Sequence, residues 1–301
     1  MEASANGITL HYDTFGDPAH PAIVLIMGLG AQMILWPEAL CRDLAARGHY
    51  VVRFDNRDCG LSARIGDAPV PDITRGWLRA RVGLPLRPAY GLNDMARDVV
   101  GLLDALGIAS AHIVGASMGG MIAQILAARH AARVASATLI MTTSGHPRLP
   151  GPSLRLQLRM SRGPRDRSRE GRIRYGMETW RVIGSPGYPL SEAELREKVE
   201  TSFDRGFYPA GMLRQMHAIL ASGSRTRLVA GIHQPVTVIH GDADPLVPTP
   251  AAHDLARRLP QADLQIVEGM GHDFPPALLP RIAGHIADCV ARGEQRPARA
   301  A

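Results

Sequence analysis

The sequence has few cysteines, no long apolar run and only one lysine. Its three cysteines, Cys41, Cys59 and Cys289, are odd in number and far apart. This excludes a disulfide scaffold and indicates reduced thiols. No stretch approaches the roughly 18 consecutive apolar residues of a membrane-spanning helix. The first residues lack a basic start followed by an apolar segment, so we expect no secretory signal and a cytoplasmic location.

Positive charge is carried almost entirely by arginine, because Lys198 is the only lysine among 34 basic residues. Between Arg148 and Arg181, ten arginines accompany three acidic residues, a local net charge of +7 in a chain whose total is +6. A nucleic-acid or anionic-membrane surface is one interpretation, and steering of an anionic substrate is another. Because no nucleic-acid-binding motif accompanies the segment, we favour a solvated helix surface and expect no nucleic-acid partner.

Short apolar runs alternate with helical patterns through the first half of the chain. An amphipathic helix is predicted at 92–108, with Asn93 or Asp94 as the N-cap, and a second helix, crowded with small and apolar residues, at 118–130. The runs with strand composition are residues 8–15, 22–27, 50–55, 111–115 and 134–141. Because the strands are apolar nearly throughout, this alternation predicts an α/β fold with a mostly parallel sheet flanked by helices.

The alternation stops near residue 145 and resumes with a strand at 236–240. Between them lie helical patterns only, including one in which Ser191 and Glu194 form a capping box. A helix near 250–259, a strand at 264–269 and a helix near 277–291 complete the pattern. The domains predicted are an α/β core at 1–145 and 232–292, a helical cap insertion at 146–231 and a frayed tail at 293–301.

One serine is enclosed by small residues at a strand-to-helix junction. The stretch Gly115-Ala116-Ser117-Met118-Gly119 matches G-x-S-x-G, the nucleophile elbow of α/β-hydrolases. Such a sharp turn raises the serine hydroxyl above the sheet, beside a helix start that favours negative charge. We therefore predict that Ser117 is a nucleophile; the alternative is a small residue in a tight turn.

A serine nucleophile needs a base, and the base needs an orienting carboxylate. Asp244 and His272 each follow a predicted strand, and groups at the carboxyl ends of parallel strands converge on one edge of the sheet. Ser117, Asp244 and His272 occur in the order described for this arrangement. Asp242 is the alternative acid. We prefer Asp244, which lies further along the loop and precedes Pro245, and expect Asp242 to stabilise the turn.

The remaining polar residues near this edge are interpreted as structural. We expect His240 to be a hydrogen-bonded strand histidine and Asp273 to be a solvated or capping carboxylate. The histidines form no cluster with metal-ligand spacing, so we expect no metal and no cofactor.

A tetrahedral intermediate also needs hydrogen-bond donors for its oxyanion. The backbone N–H of Met118 is one candidate, and the N–H of Leu29 in "MGLG" is the other, with Gly28 and Gly30 allowing close approach. An ordinary glycine-rich turn is the alternative.

Apolar residues near the same loops could line a substrate pocket. With Gly28 and Met118, Met33 and Trp36 suggest an apolar surface, although helix core is the alternative role for each.

Together, "IMGLG", "FDNRDCGLS", "GASMGGMIAQ", "HGDADPLVP" and "GMGHD" resemble the α/β-hydrolase superfamily, in the branch with a helical cap after the sixth strand. The similarity covers most of the chain outside the cap and extends to methylesterases and bacterial carboxylesterases. The resemblance implies the triad Ser117, Asp244 and His272 and the oxyanion donors Leu29 and Met118.

The chain departs from the family pattern in two places. Met27-Gly28 stands where His-Gly is frequent. In the stretch that is commonly D-x-R-G-x-G-x-S, Asp58 and Cys59 are substitutions, and we expect Arg57 to form a structural ion pair.

The predicted function is hydrolysis of a small-molecule carboxylic ester through an acyl-enzyme. Lactone hydrolysis, C–C bond hydrolysis or peracid formation could use the same triad, and a non-catalytic ligand-binding receptor is the alternative from another class. Activity should fall on acidification, because a protonated His272 cannot act as a base.

Overall fold

The computed structural model describes residues 1–295. Its strands are β1 (Glu2–Ala5), β2 (Ile8–Phe15), β3 (Ala22–Ile26), β4 (Tyr50–Phe54), β5 (Ala111–Ala116), β6 (Val134–Ile140), β7 (Val236–Gly241) and β8 (Ala262–Val267). Its α-helices are α1 (Glu38–Ala46), α2 (Ile73–Arg81), α3 (Leu92–Ala105), α4 (Met118–Arg129), α5 (Leu154–Arg162), α6 (Arg169–Ile183), α7 (Glu192–Gly206), α8 (Pro209–Ser222), α9 (Thr226–Val229), α10 (Pro250–Arg258) and α11 (Leu279–Glu294). Within these residues, none of the helices is long and apolar enough to cross a membrane.

The eight strands form one sheet in the order β1-β2-β4-β3-β5-β6-β7-β8. β2 pairs antiparallel with β1 and β4, and every pair from β4 to β8 is parallel. The predicted α/β fold with a mostly parallel sheet is therefore confirmed. From β3 the chain moves outward to β4 and then returns to β5 on the other side of β3. In open α/β sheets, ligands bind at such a reversal of strand order.

The core lies on both faces of the sheet, because side chains of a strand alternate between them. Along β3, Val24 and Ile26 join the cluster that includes α3 and α4, whereas Ile23 and Leu25 join the cluster that includes α1 and α11. All five residues of β3 are buried, which explains why its sequence is apolar without alternation.

Each predicted strand is present within two residues of its expected limits, whereas three elements, β1, α1 and α2, were missed. β1 is only four residues long, with the sequence EASA, too short and too polar to be recognised by pattern. α2 contains Gly76 and three arginines but begins with a real cap, since Asp72 Oδ1 accepts the N–H of Arg75.

The predicted cap of α3 is wrong by a few residues. Gly91 is the N-cap, and Asp94 occupies the third helical position, where its carboxylate accepts the N–H of Gly91 at 2.7 Å. By contrast, the capping box of Ser191 and Glu194 at the start of α7 is confirmed.

Between β6 and β7, all of whose connecting residues are described, the chain forms the five helices α5–α9 and no strand. We call this segment the helical insertion. α6 and α7 share a small cluster of Ile173, Met177, Leu195 and Val199. The limits 146–231 stay a prediction. The frayed tail at 293–301 also stays a prediction: α11 includes its first two residues and ends at Glu294, and residues 296–301 lie outside the described part.

The arginine-rich segment lies on the exposed side of this insertion. Arg169 pairs with Asp204, and Arg181 pairs with Glu192, so acidic residues of α7 neutralise part of its charge. This arrangement agrees with a solvated helix surface.

Candidate active site

Ser117 occupies the turn between β5 and α4 with a backbone φ of 55° and ψ of −118°. A positive φ is uncommon for a residue other than glycine and marks a strained turn held by its surroundings. Two hydrogen bonds hold it, one to the last residue of β6 and one to the segment that follows β6. Ser117 N donates to Ile140 O at 2.9 Å, and Thr142 Oγ1 donates to Ser117 O at 2.7 Å.

The glycines on either side of Ser117 are required by close packing. A Cβ on Gly119 would lie 2.0 Å from the carbonyl oxygen of Ile26, and one on Gly115 would lie 2.3 Å from that of Gly119. The turn is therefore built entirely from core elements, β3, β5, β6 and α4.

The loop after β3, residues 28–33, passes beside Ser117, and we call it the β3 loop. A Cβ on Gly28 would lie 3.1 Å from Ser117 Cβ and 3.6 Å from Ser117 Oγ. The strand order produces this contact, since β3 and β5 are neighbours and both end at the same edge.

Asp244 and His272 are in direct contact, with His272 Nδ1 2.7 Å from Asp244 Oδ2. The Asp244 carboxylate is completely buried, and its other oxygen accepts the N–H groups of Leu246 and Val247, both at 2.9 Å. Because a carboxylate can only accept, the proton lies on Nδ1 of His272 and leaves Nε2 as an acceptor. No hydrogen bond joins Ser117 Oγ to His272 in the described chain; such bonds often tighten only with substrate bound.

The competing residues have structural contacts. Asp242 Oδ1 accepts the N–H of Gly269 at 2.7 Å and so ties together the loops after β7 and β8. His240 Nε2 donates to Val247 O at 2.7 Å, whereas its Nδ1 is buried without a partner within residues 1–295. Burial lowers the pKa of His240, which keeps the ring neutral.

The expectation that Asp273 is solvated is wrong. The residue is 4% exposed, and its carboxylate accepts the hydroxyl of Ser185, just after α6. Burial raises the pKa of Asp273. The same Ser185 hydroxyl accepts the N–H of Gly271 at 2.8 Å, and His272 N donates to Ile183 O at 2.7 Å. The loop that carries His272 is thus anchored to the helical insertion.

The N–H groups of Leu29 and Met118 have no acceptor within the described residues. In the β3 loop, Gly30 N donates to Gln215 Oε1 and Ala31 N to Gly28 O. Donors without an internal partner next to a serine hydroxyl are what an oxyanion requires.

The predicted pocket residues have different environments. Gly28 contacts Ser117, as described above. Met33 is 4% exposed, and its N–H donates to Asp55 Oδ1 at 2.8 Å. Trp36 is fully buried and packs on Phe274 at 4.7 Å between ring centroids, which corresponds to the core alternative left open by the sequence.

Three residues of the insertion, two of which contact the site region, had no role in the sequence analysis. Gln215 bonds Gly30, and Arg205 donates to Gln32 Oε1 at 2.8 Å and pairs with Asp55 at 2.7 Å. Lys198, the only lysine, has its ammonium 3.7 Å from the centroid of the Trp180 ring, and burial lowers its pKa. No local pattern marks Gln215 and Arg205, because their partners are far away in the chain.

The substituted stretch Asp55–Ser62 makes its own contacts with the insertion. Asp58 forms a two-bond pair with Arg214 of α8, at 2.8 and 2.9 Å, and accepts the hydroxyl of Tyr90. Arg57 pairs with buried Asp98, as expected of a structural residue. Cys59 is buried, which raises the pKa of its thiol. Residues 1–295 contain no group of three or more His, Cys, Asp or Glu side chains that could hold a metal ion.

The chain is similar to known proteins along most of its length. The sequence pattern of a family described as "alpha/beta hydrolase fold" matches residues 21–275. Rhodomycin D methylesterase DauP of Streptomyces sp. (strain C5) is 30% identical over 93% of this chain and 94% of its own length. A putative carbamate hydrolase, RutD, of Caulobacter vibrioides is 30% identical over 88% of this chain and 89% of its own length.

Two solved structures have the same fold. An enol-lactonase from Burkholderia xenovorans LB400 superposes with a TM-score of 0.74 at 23% identity, covering 97% of this chain and 100% of its own. A meta-cleavage product hydrolase, CumD, from Pseudomonas fluorescens IP01 superposes with a TM-score of 0.77 at 18% identity and covers 97% of both chains. At these identities the similarity concerns the fold alone.

Proposed function

Since this chain belongs to the alpha/beta hydrolase fold family, we propose that it is a serine hydrolase that cleaves carboxylic esters through an acyl-enzyme. The observation that supports this most is the surroundings of Ser117. It lies on a strained turn beside the β3 loop, and a buried acid–histidine pair follows the neighbouring strands β7 and β8.

In the first half of the reaction, Ser117 Oγ attacks the ester carbonyl carbon while His272 Nε2 takes its proton. The carbonyl π electrons move to oxygen, and the N–H groups of Leu29 and Met118 donate to that oxyanion. In other enzymes, removing one donor of this kind costs about 3 kcal/mol of transition-state stabilisation. Asp244 holds the imidazole and stabilises its positive charge.

The C–O bond then breaks, and the leaving alcohol takes the proton from His272. In the second half, a water molecule gives its proton to His272 and attacks the acyl carbon. Collapse of this second intermediate releases the acid and returns the proton to Ser117.

The substrate class follows from the relatives and is part of the proposal. The match to a methylesterase along nearly the full length of both chains supports an ester with a small alcohol group, such as a methyl ester. Residues 146–231 are proposed as a cap over the site, and Gly28 and Met33 as the apolar side of the pocket; Trp36, which is fully buried, belongs to the core. The protein is proposed to be cytoplasmic and to need no cofactor or metal.

Hydrolysis of lactones or of C–C bonds, or formation of peracids, is the alternative within the same triad chemistry. The enol-lactonase and the meta-cleavage product hydrolase share this fold, so lactones and C–C substrates are the next compounds to assay if esters are not hydrolysed. A ligand-binding receptor is the non-catalytic alternative.

The test is hydrolysis of p-nitrophenyl esters from acetate to laurate by the wild type and the Ser117→Ala variant. We expect turnover in the wild type and a loss of at least about 10⁴-fold in the variant. Ser136→Ala, which removes a buried hydroxyl from β6, is the matched control and should keep the wild-type kcat. Equal turnover in wild type and Ser117→Ala would exclude Ser117 as the nucleophile. No turnover of any ester by folded protein would direct the search to lactones, C–C substrates and ligand binding.

A further inference from the structure

Gln215 is a completely buried amide at the contact between α8 and the β3 loop. Its Oε1 accepts the N–H of Gly30 at 2.8 Å, and its Nε2 donates to the carbonyl oxygen of Arg57 at 2.7 Å. Because both ends of the amide have fixed partners, its orientation is determined, and the oxygen must point at Gly30.

Gly30 is enclosed on the same side by α8. Its φ is +63°, and a Cβ at this position would lie 2.8 Å from Met212 Cγ. α8 therefore contacts the outer side of the β3 loop, whereas Gly28 contacts Ser117 on the inner side. Leu29, whose N–H is the proposed oxyanion donor, lies between these two contacts.

The bond to Gln215 restrains more than Gly30 itself. A peptide unit is planar, so the direction of the Gly30 N–H also determines the direction of the Leu29 carbonyl. Gly28 is held against Ser117 and Gly30 is held by Gln215. Between these two fixed residues, only the φ and ψ angles of Leu29 are free to vary. The orientation of the Leu29 N–H thus depends on the hydrogen bond from Gly30 to Gln215.

We propose that Gln215 is a positioning residue that aims the Leu29 N–H at the oxyanion of the transition state. This inference rests on the proposed ester hydrolysis. Gln215 acts through Gly30 and Leu29 and needs no contact with substrate. The helical insertion would then contribute to the chemical step as well as covering the site.

Other anchors of the β3 loop act further from Leu29. Gln32 donates to Ser202 O, and Met33 N donates to Asp55 Oδ1 at 2.8 Å. These bonds hold the far end of the loop in place when Gln215 is changed, so the expected defect is a local misorientation and the fold is retained. Oxyanion donors act mainly on the transition state, so the defect should appear in kcat more than in KM.

The experiment compares Gln215→Met, Gln215→Glu and a matched control, Gln234→Met. Methionine has a similar length but cannot accept the Gly30 N–H, whereas glutamate keeps an oxygen acceptor there. Gln234 is also buried, accepts the N–H of His233 at 3.2 Å and donates to Ala127 O at 2.9 Å, away from the β3 loop. Measurements are kcat and KM for a p-nitrophenyl ester, and the inhibition constant of a trifluoromethyl ketone, which adds to the serine and forms an oxyanion.

We expect Gln215→Met to lower kcat by about 10- to 100-fold, with KM changed less than about threefold. The inhibitor should weaken by a similar factor. Gln215→Glu should recover part of kcat, because one carboxyl oxygen can accept the Gly30 N–H while the other, when protonated, donates to Arg57 O. Gln234→Met should keep both constants even if its urea midpoint falls. Should Gln215→Met not fold, Gln215→Asn, whose shorter amide cannot reach Gly30, takes its place in the same comparison.

Wild-type kcat in Gln215→Met, a change in KM alone, or an equal loss in Gln234→Met would overturn the positioning role and leave ester hydrolysis intact. If the wild type neither hydrolyses esters nor binds the trifluoromethyl ketone, the proposed function fails, and the inference fails with it.

Discussion

The two sides of the candidate site are held in different ways. The turn at Ser117 is supported by core elements alone, through hydrogen bonds to Ile140 and Thr142 and through the close contact of Gly119 with β3. The β3 loop and the His272 loop are instead bonded to the helical insertion, through Gln215 and Ser185. The insertion can therefore shift the proposed donor Leu29 and the proposed base His272, while the proposed nucleophile Ser117 and the donor Met118 stay in place.

The same difference extends to the ion pairs around the loops. Asp58 lies at a position that departs from the family pattern, and its partner Arg214 comes from the insertion. Burial opposes ionisation of Asp58, but hydrogen bonds from Arg214, Ile65 and Tyr90 outweigh it and lower its pKa. The substitution at Asp58 thus has a matching residue in α8, which attaches this insertion to this core.

The largest effect on stability should come from breaking that pair. Arg214→Met leaves the buried Asp58 carboxylate without its main partner, so the free energy of unfolding should fall by about 3–5 kcal/mol. Urea denaturation at neutral pH measures the loss. The double variant with Asp58→Asn should recover part of it, because asparagine tolerates the positive φ of 63° and carries no charge. A single variant as stable as the wild type would mean that the insertion is attached by other contacts.

Adding a Cβ to Gly119 in the core turn, or to Gly28 in the β3 loop, tests which of the two sides of the site is held more rigidly. Gly119→Ala would place a methyl group against the Ile26 carbonyl, where backbone cannot yield. We expect about 3 kcal/mol of destabilisation and more than about 100-fold loss of ester turnover. Gly28→Ala meets Ser117 Cβ at 3.1 Å, where the β3 loop can shift slightly. Its unfolding free energy should change by less than about 0.5 kcal/mol, with turnover reduced about tenfold.

Urea midpoints and kcat for both variants decide the outcome. If Gly28→Ala were the more destabilised protein, the β3 loop would be the more rigid side, and the contrast drawn above would be reversed.

What could be predicted from the sequence divides along the same line. The strands, the turn at Ser117 and the loops carrying Asp244 and His272 have local signatures, because an apolar run or a glycine pattern lies within a few residues. Gln215 bonds a residue 185 positions away, and Arg214 bonds one 156 positions away. No periodicity or motif records such a partner. The burial of Asp273 was missed for the same reason, since Ser185 lies 88 residues before it.

The smallest predicted effect is a loss of stability at low pH, caused by a buried histidine in β5, the strand that precedes Ser117. His112 in β5 is buried with its Nδ1 2.8 Å from Ser136 Oγ, and burial, with a smaller contribution from His49, lowers its pKa from 6.5 to about 4. Below pH 6.5 the unfolded chain binds a proton that the folded protein does not, so the free energy of unfolding falls as pH decreases towards 4. For this group the loss is about 1 kcal/mol at pH 5.5.

We expect the free energy of unfolding, measured by urea denaturation between pH 7.5 and 5, to decline less steeply with acidification in His112→Gln than in the wild type. The difference in slope should correspond to the uptake of at most one proton on unfolding. Ser136→Ala is the control here, because it removes the hydrogen bond without removing the titrating ring. It should lower stability by a similar amount across this pH range and keep the wild-type slope. An unchanged slope in His112→Gln would mean that other buried histidines cause the loss of stability in acid. The most buried of these is His240 in β7, so the acid-sensitive group would then lie on the His272 side of the site.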